Sequence, residues 1–299
     1  MSSVSLPPPH RNQAYAIVSA LEAGSLHLPG PLFLDPSPAA SWEVPTLSFL
    51  LRHSVTAATL VFDLGLPTTT RSFPPAFLPG LQQFEPLTFH TAASSLAAGG
   101  LDPSTVDQVL CSHVHFDHIG DPAPFTGATF LLGAGARPLL EHAYPDDPQS
   151  KIPAGHFPLA RTVFLDNVDW APVGPFPRAL DLYGDGSVYV VDAPGHMPGH
   201  VNLLVRASAD GAWVYLAGDS AHDWRLVTGE AHIAHYRVPG ADVDSCAHQD
   251  DVRQAEEHIG RIRGLRALPR VQVLLAHDVP WYEENRGGAA FFPGRLSPL

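Results

Sequence analysis

The chain reads as an α/β protein on two observations: short apolar runs of strand length recur along it, and other segments return their apolar residues at helical spacing. Residues 46 to 64 hold two such runs close enough to pair as a hairpin. Residues 104 to 107 read as a turn, and Gln108-Val109-Leu110-Cys111-Ser112 as the strand that follows. Gly135 to Tyr144 suggests a short helix. Ser187 to Val191, Trp213 to Ala217 and Val271 to Leu275 are rich in β-branched, aliphatic or aromatic residues and stop at Gly, Pro or a charged or imidazole side chain, as buried strands do. Gln249 to Arg263 spaces Val252, Ala255, Ile259 and Ile262 as an amphipathic helix packed on a sheet, with Glu256, Glu257 and His258 assigned to its solvated face.

A chain of 299 residues with 45% apolar residues and mean hydropathy +0.02 can bury a sizeable core. No internal repeat or low-complexity linker divides it, so a single domain over residues 1–299 is expected, with 1–40 an irregular N-terminal segment and 41–299 the core. The 31 prolines gather in connections such as Pro7-Pro8-Pro9, Pro74-Pro75 and Pro172 to Pro177, where a fixed φ stiffens loops. A net charge of -13 argues against nucleic acid, whose phosphates need Lys and Arg. Cys111 and Cys246 are too few for a disulfide framework, and Cys111 reads as a small buried filler. The first residues lack a basic then apolar leader, and no apolar stretch reaches membrane length, so the expectation is a cytoplasmic protein with no membrane partner.

The chemistry concentrates in His113-Val114-His115-Phe116-Asp117-His118, three imidazoles and a carboxylate directly after a strand. Such groups are ligands for zinc and similar divalent ions. Three further strand ends offer the same donor types at His196, Asp219 and His277. Together His113, His115, Asp117, His118, His196, Asp219 and His277 are too many for one tetrahedral ion with an open position. A pair of ions fits that number, roughly 3.5–4 Å apart and sharing a carboxylate.

On these motifs the chain resembles the metallo-β-lactamase superfamily. His113, His115, Asp117 and His118 meet its His-x-His-x-Asp-His signature; Pro194, Gly195, His196, Gly199 and His200 meet its Pro-Gly-His-x-x-Gly-His motif; Gly218-Asp219 and His277 follow in the same order. The resemblance implies an αββα four-layer sandwich, with the metal site at the rim of two packed mixed sheets. It implies that His113, His115 and His196 hold one ion, Asp117, His118 and His277 the other, and that Asp219 bridges. Asp63-Leu64-Gly65 is similar to the end of an early strand of the family's first sheet.

The activity implied is hydrolysis by a hydroxide bridging two divalent ions, zinc in the first place with iron or manganese as alternatives, acting on a small lactone or ester. Phe116 after the second histidine and Asp278 after the last resemble the N-acyl-homoserine lactonase branch. That branch places a Tyr three residues after the bridging Asp, where this chain has His222, which is expected to donate the same bond to the substrate carbonyl. Asp117 is expected to steer the proton. A thioesterase of acyl-carrier-protein or glyoxalase II type and a non-haem iron oxygenase are the alternatives. His200 is expected to support a ligand loop. Tyr215, Trp224 and Phe116 are candidates for a pocket wall, His232 and His235 for its lining, and Asp192, Asp223 and Asp278 for acceptors of imidazole N–H groups.

Overall fold

Two six-stranded mixed sheets face one another across an apolar interior. The computed structural model describes residues 5–69, 73–152, 157–237, 244–245 and 251–299. The first sheet runs β1 (Ala16–Pro29), β2 (Ser41–His53), β3 (Thr59–Phe62), β4 (Gln108–Leu110), β5 (Thr129–Gly133) and β6 (Thr162–Leu165), antiparallel up to β3 and parallel from there. The second holds β7 (Ala171–Val173), β8 (Phe176–Asp181), β9 (Val188–Asp192), β10 (Val201–Arg206), β11 (Trp213–Leu216) and β12 (Val271–Leu274), with only β11 and β12 parallel neighbours.

The centre of each sheet is apolar on both faces, which is why central strands such as β3 and β11 read as continuous apolar runs. Val214 and Leu216 of β11 point inward with Phe49, Phe62 and Leu110, while Trp213 and Tyr215 point out. Helix Ala92–Ala98, started by a Thr91–Ser94 capping box, lays Leu96 on the outer face of the first sheet beside Leu50 and Val61. Helix Val252–Arg266 covers the second sheet with Ala255, Ile259, Ile262 and Leu265. The result is the expected αββα sandwich, and each fully buried Leu or Phe in it contributes about 1.5–3 kcal/mol of transfer free energy.

The expected hairpin is present as β2 and β3, and short helical pieces occupy Pro103–Thr105 and Ala136–Glu141. Two expectations are corrected. The described part of residues 1–40 is not irregular throughout: it contains β1, a fourteen-residue strand that pairs with β2 through a bulge between Glu22 and Ser25. His258 is not solvated but buried, because the apolar stripe Ala255, Ile259, Ile262 brings the position beside it under the sheet. Cys111 is buried just past β4, whereas Cys246 lies outside the described residues. Among the described residues no helix is long and apolar enough to cross a membrane.

Strands β3 and β4 run in the same sense, as do β9, β11 and β12. Their C-terminal ends therefore open on the rim where the histidines and aspartates gather.

Candidate metal centre

Four loops, each leaving a strand end, bring the seven expected donors together. His113, His115, His196 and Asp219 place one ligand atom each within 4.8 Å of one another, and Asp117, His118, Asp219 and His277 do the same. Asp219 belongs to both groups. Its Oδ2 lies 3.8 Å from His113 Nε2 and 3.7 Å from His196 Nε2, while its Oδ1 lies 3.2 Å from His118 Nε2 and 3.4 Å from His277 Nε2. Asp117 Oδ2 closes the second group at 3.5 Å from His277 Nε2 and 3.8 Å from His118 Nε2.

These distances suit a cation. His113 Nε2, His115 Nδ1 and His196 Nε2 stand 2.9 to 3.2 Å apart, ring nitrogen facing ring nitrogen. Tetrahedral zinc with bonds of about 2.0–2.1 Å sets its nitrogens about 3.3 Å apart, nearly that spacing. In the second group, His118 Nε2 and Asp219 Oδ1 are buried and face each other at 3.2 Å without hydrogen-bond alignment. Orphaned polar atoms of this kind are costly unless something satisfies them, and an ion would satisfy both.

The far sides of the rings are tied down. Asp63, at the end of β3, holds His118 Nδ1 with Oδ2 at 2.9 Å and accepts from Ser112 N through Oδ1 at 2.6 Å. Ser112 Oγ donates to Asp63 Oδ2 at 2.9 Å and is met by His113 Nδ1 at 2.9 Å. One carboxylate thus orients two imidazoles, leaving each Nε2 turned to the centre. His277 Nδ1 donates to Pro45 O at 2.8 Å. His200 Nδ1 donates to Ala193 O at 3.1 Å and its Nε2 accepts from Asp219 N at 3.1 Å, so it links the His196 loop to the Asp219 turn.

Charge follows the same division. Burial, with neighbouring imidazoles, pushes His113 and His196 well below the ordinary value, and burial takes His115 to about 4. These three are neutral and ready to ligate at pH 7. Burial alone would also lower His118 and His277, but Asp219, with Asp117 and in the first case Asp63, outweighs it and holds both above the ordinary imidazole value. Burial would raise Asp219, yet His118, His277 and His222 keep it well below the usual carboxylate range. The centre therefore carries a buried anion for which protons and divalent ions compete.

A cavity of about 410 Å³ opens above these groups, floored by His115, Asp117, Asp219, His222 and His277 and walled by Phe33, Phe77, Phe84 and Phe116. His222 lines it with Nε2 3.3 Å from Asp219 Oδ2 and its ring edge-on to Phe33 at 4.8 Å. Of the expected wall residues only Phe116 is present. Tyr215 is buried against Phe176, and Trp224 belongs to a neighbouring cleft with Trp42. His232 and His235 are exposed and line none of it. Asp192 instead pairs with Arg178, Asp223 caps the helix Trp224–Thr228, and Asp278 accepts from Trp224 Nε1 at 2.8 Å. Asp63 is the supporting residue that the ligand spacing did not expose; its signals were an acidic residue closing an apolar strand and the likeness of Asp63-Leu64-Gly65 to the family's early strand end.

The metallo-beta-lactamase superfamily model matches residues 42–267. A gamma-lactamase of Fusarium pseudograminearum is 31% identical over 239 residues, 74% of this chain and 58% of that protein, so the chain spans little more than half of that relative. An N-acyl homoserine lactonase of Azorhizobium caulinodans is 27% identical over 248 residues, 80% of this chain and 84% of that one. A solved N-acyl homoserine lactone hydrolase, with N-hexanoyl-L-homoserine bound at its catalytic metal centre, superposes with a TM-score of 0.69 at 17% identity, covering 94% of this chain and 99% of its own.

Proposed function

The chain belongs to the metallo-β-lactamase superfamily, and from that premise we propose that it opens the ring of a small lactone, of the N-acyl homoserine lactone type, on a pair of divalent ions. The observation that carries this is the division of Asp219: Oδ2 faces His113 and His196, Oδ1 faces His118 and His277, and an apolar cavity opens over both. His113, His115 and His196 would hold one ion, Asp117, His118 and His277 the other, and Asp219 both. Zinc suits these donors, as do iron and manganese. The ions would supply Lewis acidity and lower the pKa of a water toward neutrality.

The chain's own groups account for the rest. Asp117 lines the cavity floor and would take the proton of the attacking water and return it to the alkoxide as the ring C–O bond breaks, giving a hydroxy acid. His222, in the tautomer protonated at Nε2, would donate to the carbonyl oxygen as it gains charge. Phe33, Phe77, Phe84 and Phe116 would take the apolar part of the substrate and exclude water. A ring amide presents the same carbonyl, and the gamma-lactamase relative favours a γ-lactam as the second reading.

The test is elemental analysis of the purified protein together with turnover of N-hexanoyl homoserine lactone, a γ-lactam and a small thioester, with oxygen uptake monitored. Lactone opening that disappears with bound metal in Asp219→Ala is the expected result. Thioester turnover alone would make the protein a thioesterase, and oxygen consumption on a bound iron would make it an oxygenase. Full lactone turnover in Asp219→Ala would remove the shared carboxylate from the mechanism.

A further inference from the structure

Beneath the Asp219 turn lies a buried polar cluster in an otherwise apolar layer. Asn202, the second residue of β10, is fully buried on the face covered by helix Val252–Arg266. Its neighbours fix its amide orientation: the nitrogen faces Ala217 O at 2.8 Å and Val201 O at 3.1 Å, and the oxygen faces Ser220 Oγ at 2.7 Å, Tyr215 Oη at 2.8 Å and His258 Nε2 at 3.2 Å. Ala217 and Ser220 are the first and last residues of the turn that carries Asp219, closed by Ser220 N donating to Ala217 O at 3.0 Å. One side chain therefore grips that turn at both ends. Tyr215 Oη and His258 Nε2, themselves 3.0 Å apart, hold the amide from behind.

We infer that Asn202 is a positioning residue for the shared carboxylate, a role that rests on the dinuclear reading above. Asp219 has to present two oxygens to two groups of ligands at once, so a small rotation of its turn would serve one group at the expense of the other. His200 fixes only the backbone N–H of Asp219; Asn202 fixes the turn on either side of it. An amide on β10 that served core packing alone would be replaceable by an apolar side chain of its shape. As a brace for a bridging ligand it is not, because groups that orient metal ligands typically contribute 10–100-fold in metal affinity.

The experiment is chelator competition on the zinc-loaded protein, comparing wild type with Asn202→Leu and with Ser220→Ala, which removes one end of the grip and little volume. Urea midpoints and lactone turnover at rising zinc are measured on the same samples. Wild type should hold two zinc ions per chain, Asn202→Leu should hold them about 10–100-fold more weakly, and Ser220→Ala should fall between. Turnover should recover as zinc is raised in variants whose metal-free urea midpoint shows them already folded, so that the recovery reads ion affinity and not zinc-driven refolding. Zinc affinities equal to wild type in Ser220→Ala and in any folded Asn202→Leu, whatever the urea midpoints, would overturn the positioning role. Failure of wild type to hold two ions would overturn the dinuclear reading itself.

Discussion

Asp63 Oδ2 sits 2.9 Å from His118 Nδ1, and the same carboxylate reaches His113 through Ser112 Oγ. This residue from β3 thus steers one imidazole of each ligand group without facing the cavity. Asp63 has φ +59°, a left-handed conformation that Asn also tolerates, so Asp63→Asn keeps the turn and removes the charge. The variant should fold and bind metal about 10–100-fold more weakly. Chelator titration checks this, and unchanged affinity would reduce Asp63 to a strand terminator.

His222 faces the cavity beside Asp219 but adds a ring to neither ligand group. His222→Phe, packed against Phe33, should therefore keep both ions and lose turnover, by about 10²–10³-fold in kcat if the lost bond is the one to the carbonyl oxygen. Metal content and steady-state kinetics separate the two effects. A drop in bound metal would make His222 a ligand instead.

The candidate ligands are legible in the sequence because metal chemistry uses few residue types and each follows an apolar strand: His113, Asp117, Asp219 and His277 need no distances to be suspected. The groups behind them were not, because Pro45 O, Ala193 O and Ser112 Oγ serve through positions that sequence spacing does not encode. His258 looked solvated for the same reason; its partners Tyr215 and Asn202 lie on two other elements. β1 was hidden by Gly24 at its bulge and by the prolines around it, which break the alternation a strand of its length otherwise shows.

Phe84 forms part of the cavity wall, its ring 5.9 Å from that of Phe116 and 6.3 Å from that of Phe33. Phe84→Ala should raise KM for an acylated lactone about two- to tenfold, the order of one aromatic contact of about 0.5–1.5 kcal/mol, with kcat little changed. An unsubstituted lactone should not notice. Equal effects on both substrates would move the acyl group out of this cavity.

Acid should destabilise the fold. Burial takes His200 and His258 to about 3, whereas in the unfolded chain both titrate near 6.5. Between those values the unfolded state binds more protons, so stability falls as pH drops below about 6.5, by up to about 1.4 kcal/mol per pH unit for each group. His118 and His277, held above their ordinary value, act in the opposite sense and offset part of this. His258→Gln removes one of the destabilising titrations, so its urea midpoint should fall less than that of wild type between pH 6.5 and pH 5. Parallel declines would show that His258 accepts a proton in the fold.

Gly195, one residue before the ligand His196, has φ +130°, and a Cβ placed there would lie 2.3 Å from Ala255 N in the first turn of helix Val252–Arg266. Asp251 N also donates to Gly195 O at 2.9 Å, so loop and helix start are joined. Gly195→Ala must therefore strain the backbone and push either the helix off the second sheet or His196 away from His113 and His115. Strain and overpacking each cost about 1–3 kcal/mol. A loss of roughly 2 kcal/mol or more in urea unfolding is expected, with weaker zinc binding in whatever fraction folds. Wild-type stability and affinity together would mean that the loop and helix can separate without cost, and that this close approach does not set the position of His196.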